Sequence, residues 1–291
     1  MKTDPRREQI LNLLEDTGIV NVLDLADRLG VSVVTIRKDL DELESEGLLQ
    51  RTFGGAVFSH RSRFNKSFLE RTRLHQLAKR AIAAAALEYI KDGDTIILDA
   101  GTTTLALAQL LKQQVKSAFI ITCSVPVALE LSSAGYDILL LGGMVRNKSL
   151  ALLGRETLTM LDRYQADKAF LGSSGFTAEK GHSTPNPEDA QIKEAIMRAS
   201  KERYVLVDSS KYGDRCLTRF AHLRDVDLTI TDSHLSKSRV KTLEAAGAKL
   251  RVAHVAETDF NSARKGVTVG DGVQEIVSQG RALTLHRNRK G

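Results

Sequence analysis

The sequence contains no run of about 18 or more apolar residues free of charge, so no membrane-spanning helix is expected. It has no tryptophan and only two cysteines, Cys123 and Cys216, which lack the spacing of a metal site. Both are expected to be reduced, partly buried thiols of a cytoplasmic protein. The first ten residues, MKTDPRREQI, are polar, so no signal peptide is expected. No metal or other cofactor is predicted.

The net charge of +6 is unevenly distributed along the 291 residues. Residues 51–73 contain six Lys and Arg against one Glu, and residues 261–291 contain six against two acidic residues. Local positive stripes attract phosphate groups, although a solvated linker and a frayed tail would have the same composition. For the tail we prefer that second interpretation. The length and a hydrophobic share of 42% suit two globular domains.

The first 58 residues follow the order of a winged helix-turn-helix. Apolar residues at helical spacing predict a first helix over 5–17, and Asn21 and Gly30 are suitable caps for a short second helix. Ser32 is a suitable N-cap for a third helix. The stretch LLQRTFGGAVF predicts a small hairpin turned by Gly54–Gly55.

The third helix has the pattern of a recognition helix for the major groove. Its apolar residues share one narrow stripe and are expected to pack inward. The opposite face combines short polar groups with basic side chains, which suit base edges and phosphates. An ordinary amphipathic helix is the alternative, and the order of the elements disfavours it. The predicted DNA-contacting residues are Ser32, Val34, Thr35, Arg37 and Lys38, with Arg51 of the hairpin near the backbone of the duplex.

From Leu77 onwards, apolar strand-like segments alternate with helical stretches, which predicts an α/β fold with a mostly parallel, doubly covered sheet. Ligands of such sheets bind at the carboxyl ends of the strands. The predicted strands are TIILD 95–99, AFIIT 118–122, DILLL 137–141, KAFLG 168–172, RYVLVD 203–208, DLTIT 227–231 and KLRVAHV 249–255.

Polar turns follow several of these strands and are suited to hold a phosphate. In LDAGTTTLAL, residues 98–107, a glycine permits a tight turn and three threonines begin a helix whose first amides lack intrahelical partners. LGGMVRNKS, GSSGF and VDSSK are similar turns, and a purely structural role is the alternative for each. Carboxylates at two of the turns are expected to accept sugar hydroxyls, namely Asp99 and Asp208. The predicted ligand-binding residues are Asp99, Gly101, Thr102, Thr103, Thr104, Gly142, Gly143, Arg146, Asp208 and Lys211.

Two sets of motifs carry a family resemblance. The first set resembles the N-terminal domain of the DeoR family of bacterial transcriptional regulators and consists of RREQILNLLEDTG, VLDLADRLGVSVVTIRKDLDELESEGLL and RTFGGAV. That family usually has two arginines where this chain has Arg37–Lys38, and often His or Tyr where it has Phe53. The second set resembles motifs of the family's sensor domain, in the same order along the chain: LDAGTTT, LLGGMVR, KAFLGSSGF, GHSTPNPEDAQIKEA and VDSSKYG.

The resemblance implies a sensor domain that is similar in fold to ribose-5-phosphate isomerase and binds phosphorylated sugars or their derivatives. It implies that the DAGTTT loop takes the phosphate and that Asp208 and Lys211 are central to effector binding. It also implies that Lys79 lies near the site or the domain junction. Paired operator half-sites require at least a homodimer, and the resemblance suggests a tetramer.

These observations predict a repressor of a carbohydrate-utilisation operon that a phosphorylated sugar releases from its operator. The expected organisation is a winged helix-turn-helix domain over 1–58, a linker over 59–75, a sensor domain over 76–258 and a weakly ordered basic extension over 259–291. GHSTPNPEDA, residues 181–190, is interpreted as a polar loop suited to a mobile cover over the site.

A sugar-phosphate isomerase with an appended DNA-binding domain is the main alternative. Its reaction needs a carboxylate base, and no spacing selects one among Asp99, Glu188 and Asp208. An architectural DNA-binding protein without a ligand would leave the many polar turns unexplained. The remaining candidates for acid–base chemistry are expected on the surface or in loops, namely His182, His222 and His234.

Overall fold

The structure, a computed structural model, describes residues 5–17, 19–45, 48–58 and 66–256. Its first unit packs helices against a three-stranded antiparallel sheet of order β1-β3-β2, and it confirms the predicted winged helix-turn-helix. The strand β1 was not predicted. In chain order the elements are α1 (Pro5–Thr17), β1 (Ile19–Asn21), α2 (Val22–Leu29), α3 (Val33–Ser45), β2 (Leu49–Thr52) and β3 (Gly55–Phe58).

The predicted caps fix the turn between α2 and α3. The side chain of Asn21 accepts a hydrogen bond of 2.8 Å from the Leu23 amide. Gly30 ends α2 with a φ of +64°, a left-handed conformation that favours glycine. The hydroxyl of Ser32 accepts a hydrogen bond of 3.1 Å from the Thr35 amide, as an N-cap of α3 should.

The wing turns one residue earlier than predicted. Thr52 pairs with Gly55, so the loop is Phe53–Gly54 and the prediction of Gly54–Gly55 was wrong. Gly55 lies within β3, where a β-carbon would be 1.9 Å from the carbonyl oxygen of Val20 in β1. This second glycine is therefore needed for the close approach of a strand, not for the turn.

The second unit is built on a seven-stranded sheet whose members are the seven predicted strands. Two smaller antiparallel sheets, β7-β8 and β10-β11-β13, were not predicted. In chain order the elements are α4 (Phe68–Arg73), α5 (Gln76–Leu87), β4 (Thr95–Leu98), α6 (Thr102–Gln114), β5 (Phe119–Thr122), α7 (Val125–Leu131), β6 (Asp137–Leu140), β7 (Met144–Arg146), β8 (Ala151–Leu153), α8 (Arg155–Leu161), β9 (Ala166–Gly172), β10 (Gly175–Thr177), β11 (Gly181–Thr184), α9 (Pro187–Arg198), β12 (Ser200–Leu206), β13 (Thr218–Ala221), β14 (Leu228–Asp232), α10 (Lys237–Ala245) and β15 (Leu250–Ala253).

The order of the large sheet is β15-β14-β12-β9-β4-β5-β6, and every neighbouring pair is parallel. The chain winds from β4 outward to β5 and β6, returns to β9 on the other side of β4, and then continues outward to β12, β14 and β15. The direction of winding therefore reverses between β4 and β9. Open α/β sheets bind their ligands outside the carboxyl ends of the strands at such a point.

Both faces of the sheet are covered, as predicted. Ile96 and Leu98 of β4 belong to a core with residues of α5, α6 and α7. Between them, Ile97 faces the opposite core, which contains residues of α8, α9 and α10. None of the helices in the described ranges is long and apolar enough to cross a membrane. Cys123 is buried and Cys216 partly buried, and both are free thiols.

The segment GHSTPNPEDA is not a mobile cover. Its first four residues form the fully buried strand β11, and α9 begins at Pro187. His182 lies between the rings of Phe176 and Phe220, with both centroid distances 6.0 Å. Burial lowers the pKa of His182 to about 3, so this imidazole is a neutral core group and the expectation of a surface histidine was wrong. The polar composition of the segment did not indicate that it contains a buried strand.

The described part of the predicted linker is helical and packed. Ser67 and Glu70 form a capping box at the start of α4, and Phe68 is buried in the same core as α5 and α6. Residues 66–75 are therefore not an extended connection, which corrects that part of the predicted linker. Residues 59–65 and the predicted extension over 259–291 lie outside the described residues.

Asp39 joins the third helix to the first. Its buried carboxylate accepts hydrogen bonds from Arg6, at 2.6 and 3.0 Å, and from Arg7, at 3.2 Å. Burial alone would raise the pKa of Asp39, but the two guanidinium groups lower it below its ordinary value. This charged contact fixes the position of α3 against α1.

Asp39→Asn should weaken the attachment of α1 to α3 by about 1.5–3 kcal/mol, because hydrogen bonds to a charged group are lost. We expect faster hydrogen exchange of the α1 and α3 amides, measured on the full chain. The control is Asp27→Asn, which changes an exposed carboxylate of α2. Unchanged exchange in Asp39→Asn would contradict the role of this ion pair.

Candidate effector site and DNA-binding face

Five of the predicted DNA-contacting residues lie together at the start of α3. Val34 is 74% exposed, and Arg37 and Lys38 are also exposed. Ser32 and Thr35 lie at the N-terminal end of the helix, with their hydroxyl oxygens 2.8 Å apart. The apolar stripe of the helix is buried, so this polar surface faces away from the core.

Arg51, which is predicted to lie near the backbone of the duplex, is held against α3. Its guanidinium forms an ion pair with Asp41 and donates a hydrogen bond of 3.1 Å to the carbonyl oxygen of Arg37. Both partners belong to α3, so Arg51 braces the wing against the recognition helix. The sequence placed the arginine on the hairpin correctly but did not reveal the acidic residue opposite it.

A cavity opens where the winding of the sheet reverses. Gly101 follows β4 and Gly172 ends β9, and both line this cavity. The two residues are neighbours, since a β-carbon on Gly172 would be in ordinary van der Waals contact with the Cα of Gly101, at 3.8 Å. Of the ten predicted ligand-binding residues, six line the cavity: Gly101, Thr102, Thr103, Arg146, Asp208 and Lys211.

The N-terminus of α6 points at this cavity through Gly101, Thr102 and Thr103. Gly101 is the N-cap and has no side chain to satisfy the first amides of the helix. Free amides and the positive end of the helix dipole favour an anion here. Thr104 does not line the cavity: its hydroxyl donates to the carbonyl oxygens of Asp99, at 2.7 Å, and Gly101, at 2.9 Å, and so shapes the turn.

Asp99 is buried beneath the cavity and does not line it. Its Oδ2 accepts hydrogen bonds from the Lys193 ammonium and, at 2.9 Å, from the Gly172 amide. Burial alone would lower the pKa of Lys193, but Asp189 and Asp99 raise it above its ordinary value. The expectation that Asp99 accepts a sugar hydroxyl is therefore wrong, because the carboxylate is fully buried, does not line the cavity, and has its Oδ2 held by Lys193 and Gly172.

The β7–β8 hairpin contributes Arg146 to the cavity, together with Lys148 and Ser149. Gly142 and Gly143 do not line it. The carbonyl oxygen of Gly142 accepts a hydrogen bond of 2.6 Å from Thr157, and a β-carbon on Gly143 would lie 2.6 Å from the Leu153 carbonyl oxygen. These two glycines let the hairpin pack against α8, which corrects their assignment as ligand residues.

Asp208 and Lys211 lie after β12 and face the cavity. Burial alone would raise the pKa of Asp208, but the positive charges of Lys211, His75 and Lys79 and a hydrogen bond from Ser210 lower it. Asp232 supports the same turn by accepting a hydrogen bond of 2.6 Å from the Ser209 amide. The carboxylate of Asp208 is thus a charged acceptor in the wall of the cavity.

Four further groups from the start of the second unit line the cavity, and the sequence identified only one of them. These are Lys66, Arg71, His75 and Lys79. The buried ammonium of Lys79 donates to the carbonyl oxygens of Arg71 and, at 2.7 Å, of Leu74. The basic composition of residues 51–73 was the available signal, but it was assigned to a linker.

The two lysines of this group lie near one another, with Lys79 buried and Lys66 partly buried. Burial is the main cause that lowers the pKa of Lys79 to about 7, and the charges of Lys211, Arg71 and Lys66 contribute. Burial and the charge of Lys211 lower the pKa of Lys66 to about 8. The unliganded cavity therefore concentrates positive charge that a bound anion would compensate.

Comparison with known proteins supplies the family. The family model described as "DeoR-like helix-turn-helix domain" matches residues 6–62. The model described as "DeoR C terminal sensor domain" matches residues 74–233. The chain belongs to the DeoR family of transcriptional regulators. Both matches agree with the resemblance that the sequence motifs carry.

Relatives in this family align over most of their length. The HTH-type transcriptional regulator GlpR of Haloferax volcanii is 34% identical, over 83% of this chain and 94% of its own. The lactose phosphotransferase system repressor of Lactococcus lactis is 35% identical, over 83% of this chain and 95% of its own. Among solved structures, a D-ribose-5-phosphate isomerase in complex with phospho-erythronic acid matches with a TM-score of 0.37 at 19% identity, over 48% of this chain and 54% of that chain.

Sulfate should raise the thermal unfolding midpoint of the full chain more at about pH 7 than at about pH 9, because Lys66 and Lys79 lose their charge over this range while sulfate keeps both of its charges. Calorimetry near pH 8 should show proton uptake on binding. Lys79→Met should reduce this pH dependence, whereas Lys91→Met, at an exposed position, should not. Proton release on binding, or equal stabilisation at both pH values, would contradict the prediction.

Proposed function

We propose that this chain is a transcriptional repressor of a carbohydrate-utilisation operon, released from its operator by a phosphorylated sugar. The observation that carries the proposal is the cation-lined cavity at the reversal point of the sheet, into which the N-terminus of α6 points. Free helix amides, threonine hydroxyls and Lys211 suit a phosphate, and Asp208 suits sugar hydroxyls.

The recognition surface of α3 supplies the DNA-binding half of the proposal. Val34, Arg37 and Lys38 are exposed on a helix whose position the wing and α1 fix, and a helix of this kind reads base edges in the major groove. The printed names of two relatives, a regulator and a repressor of a lactose phosphotransferase system, support a regulatory role linked to sugar uptake.

Repressors with one recognition helix per chain gain affinity by binding paired half-sites, so we propose that the acting form is a homo-oligomer, a dimer or tetramer. The effector would then act by favouring an arrangement of the oligomer that no longer matches the half-site spacing. A ligand shifts such an equilibrium only as far as its affinities for the two arrangements differ.

The surroundings of the carboxylates favour a sensor over an isomerase. Asp99 is bound by Lys193, and Asp189 accepts a hydrogen bond from Thr184. Asp208 accepts hydrogen bonds from the amide and hydroxyl of Ser210, and the surrounding cations lower its pKa, so its affinity for a proton is reduced. Glu188 is exposed outside the cavity. None of these groups has the properties of a general base.

The route from the effector to the DNA-binding domain would run through residues 66–75. This segment follows the wing in sequence and carries Lys66, Arg71 and His75 into the cavity. An anion that binds these cations would fix the position of the segment. A change at the site would thereby reach the element that precedes it along the chain.

Arg37→Ala should weaken binding to an operator selected from random duplexes by roughly 5- to 150-fold per half-site, the value of one bidentate base contact. Gel-shift titration measures the loss. Stabilisation by the effector should stay unchanged, because the cavity is intact. Arg80→Ala, which removes an exposed arginine of α5, is the matched control. Full operator affinity in Arg37→Ala would show that this side chain makes no contact important for operator binding.

Lys211→Ala should give a repressor that binds its operator normally and is not released by sugar phosphates, because a cation at the phosphate is lost. The measurement is operator binding with increasing sugar phosphate, and Lys237→Ala at the exposed start of α10 is the control. Constitutive loss of operator binding in Lys211→Ala would contradict the prediction that an occupied site releases the operator. Operator binding by the wild-type chain that no sugar phosphate alters would overturn the proposed function.

A further inference from the structure

The cavity carries more positive charge than one phosphate monoester can compensate. Seven Lys and Arg side chains line it against three carboxylates; the seven are Lys66, Arg71, Lys79, Arg146, Lys148, Lys193 and Lys211, and the three are Asp189, Asp208 and Asp214. A phosphate monoester carries at most two negative charges. The N-terminus of α6 adds a further partial positive charge.

The described partners of these cations reduce the excess of positive charge by one but do not remove it. Lys193 is neutralised by Asp99 beneath the cavity. Arg71, Arg146 and Lys211 have no carboxylate oxygen within 4.0 Å in the part of the chain that the structure describes. Lys79 is held by backbone carbonyls and not by a carboxylate. Among the described residues, these four cations therefore face the cavity with no carboxylate oxygen within 4.0 Å, although Asp189 and Asp208 lie in the same cavity.

Arg71 is the least satisfied of these groups. Its side chain is partly buried, and its Nε atom is buried without a hydrogen-bond partner. The guanidinium lies 5.9 Å from the ring centroid of Phe68, which shields one side of it. A buried guanidinium in this state matches the planar pair of oxygens of a carboxylate or the oxygens of a phosphate.

The cations also differ in the carboxylates nearest to them. Lys66, Lys79 and Lys211 influence one another, and Asp208 lies near Lys79 and Lys211. Arg71 also acts on Lys79, but the charges that act on Arg71 itself are those of Asp189, Arg146 and Asp99. One anion bound at the α6 N-terminus and Lys211 would leave the buried Nε of Arg71 unsatisfied.

We propose that the effector carries a second anionic group in addition to its phosphate, and that Arg71 is the principal ligand of that group. This inference rests on the proposed function, since it concerns the same cavity. The effector class is then a phosphorylated sugar acid or a sugar bisphosphate. Because Arg71 belongs to the segment that follows the wing, the second anion is also the group that engages this segment.

The test compares matched ligand pairs by calorimetry on the full chain. One arm uses aldose phosphates of four, five and six carbons against the phosphorylated aldonic acids of equal length, and a second arm uses fructose 6-phosphate against fructose 1,6-bisphosphate. Within the series that binds, the doubly anionic compound should bind at least about tenfold more tightly, as one added charge-assisted contact predicts. The first arm identifies a carboxylate and the second a phosphate.

The variants assign the gain to one side chain. Arg71→Met should abolish the preference, because it should weaken the doubly anionic compound at least about tenfold more than the monophosphate, whereas Lys211→Met should weaken both compounds of a pair. Arg73→Met changes an exposed arginine on the same helix and should alter neither. Equal affinities within each pair, or an equal loss of both in Arg71→Met, would overturn this proposal alone. Failure of every compound to bind would overturn the proposed function together with it.

Discussion

The buried ion pair between Asp99 and Lys193 is the contact on which the site depends. Asp99 follows β4 and Lys193 lies on α9, and Gly172 at the end of β9 bonds to both partners, through its amide at 2.9 Å and its carbonyl oxygen at 3.1 Å. The pair therefore joins the two strands at the reversal point to the helix that covers them. Removing either partner would leave an uncompensated charge in the core. Since the floor of the cavity is neutralised internally, the binding properties lie in its walls.

Those walls are charged at a cost to the unliganded fold. Burial and mutual repulsion lower the pKa of Lys66 and Lys79. The two ammonium groups are therefore less stable as cations in the folded chain than in the unfolded chain, where water solvates them. A functional site that is destabilising by itself is a common trade between stability and activity. A bound anion removes part of this cost, so ligand affinity and ligand-induced stabilisation have the same electrostatic origin.

Local patterns predicted the elements, and distant partners decided what the side chains do. The seven strands and the caps Asn21, Gly30 and Ser32 depend on neighbours within a few residues, so periodicity and capping rules were sufficient. Asp99 and Lys193 are 94 residues apart, and nothing near Asp99 in the sequence indicates that its carboxylate is buried against a lysine. The prediction for His182 was wrong for the same reason, because its polar neighbours in the sequence did not indicate the aromatic rings that enclose it. Residues 66–75 have the composition of a linker, and only their packing makes them part of the site.

The position of each contact decides whether it can contribute to release from DNA. Contacts from the α6 N-terminus belong to the packed core of the sheet and would be equal in every arrangement of the domains. Such contacts increase affinity without shifting an equilibrium. A contact from residues 66–75 differs, because the position of this segment relative to the cavity would change with the DNA-binding domain that precedes it. If the proposed site is right, the α6 N-terminus would set how tightly the effector binds, whereas Arg71 would determine how much of that binding energy reaches the operator.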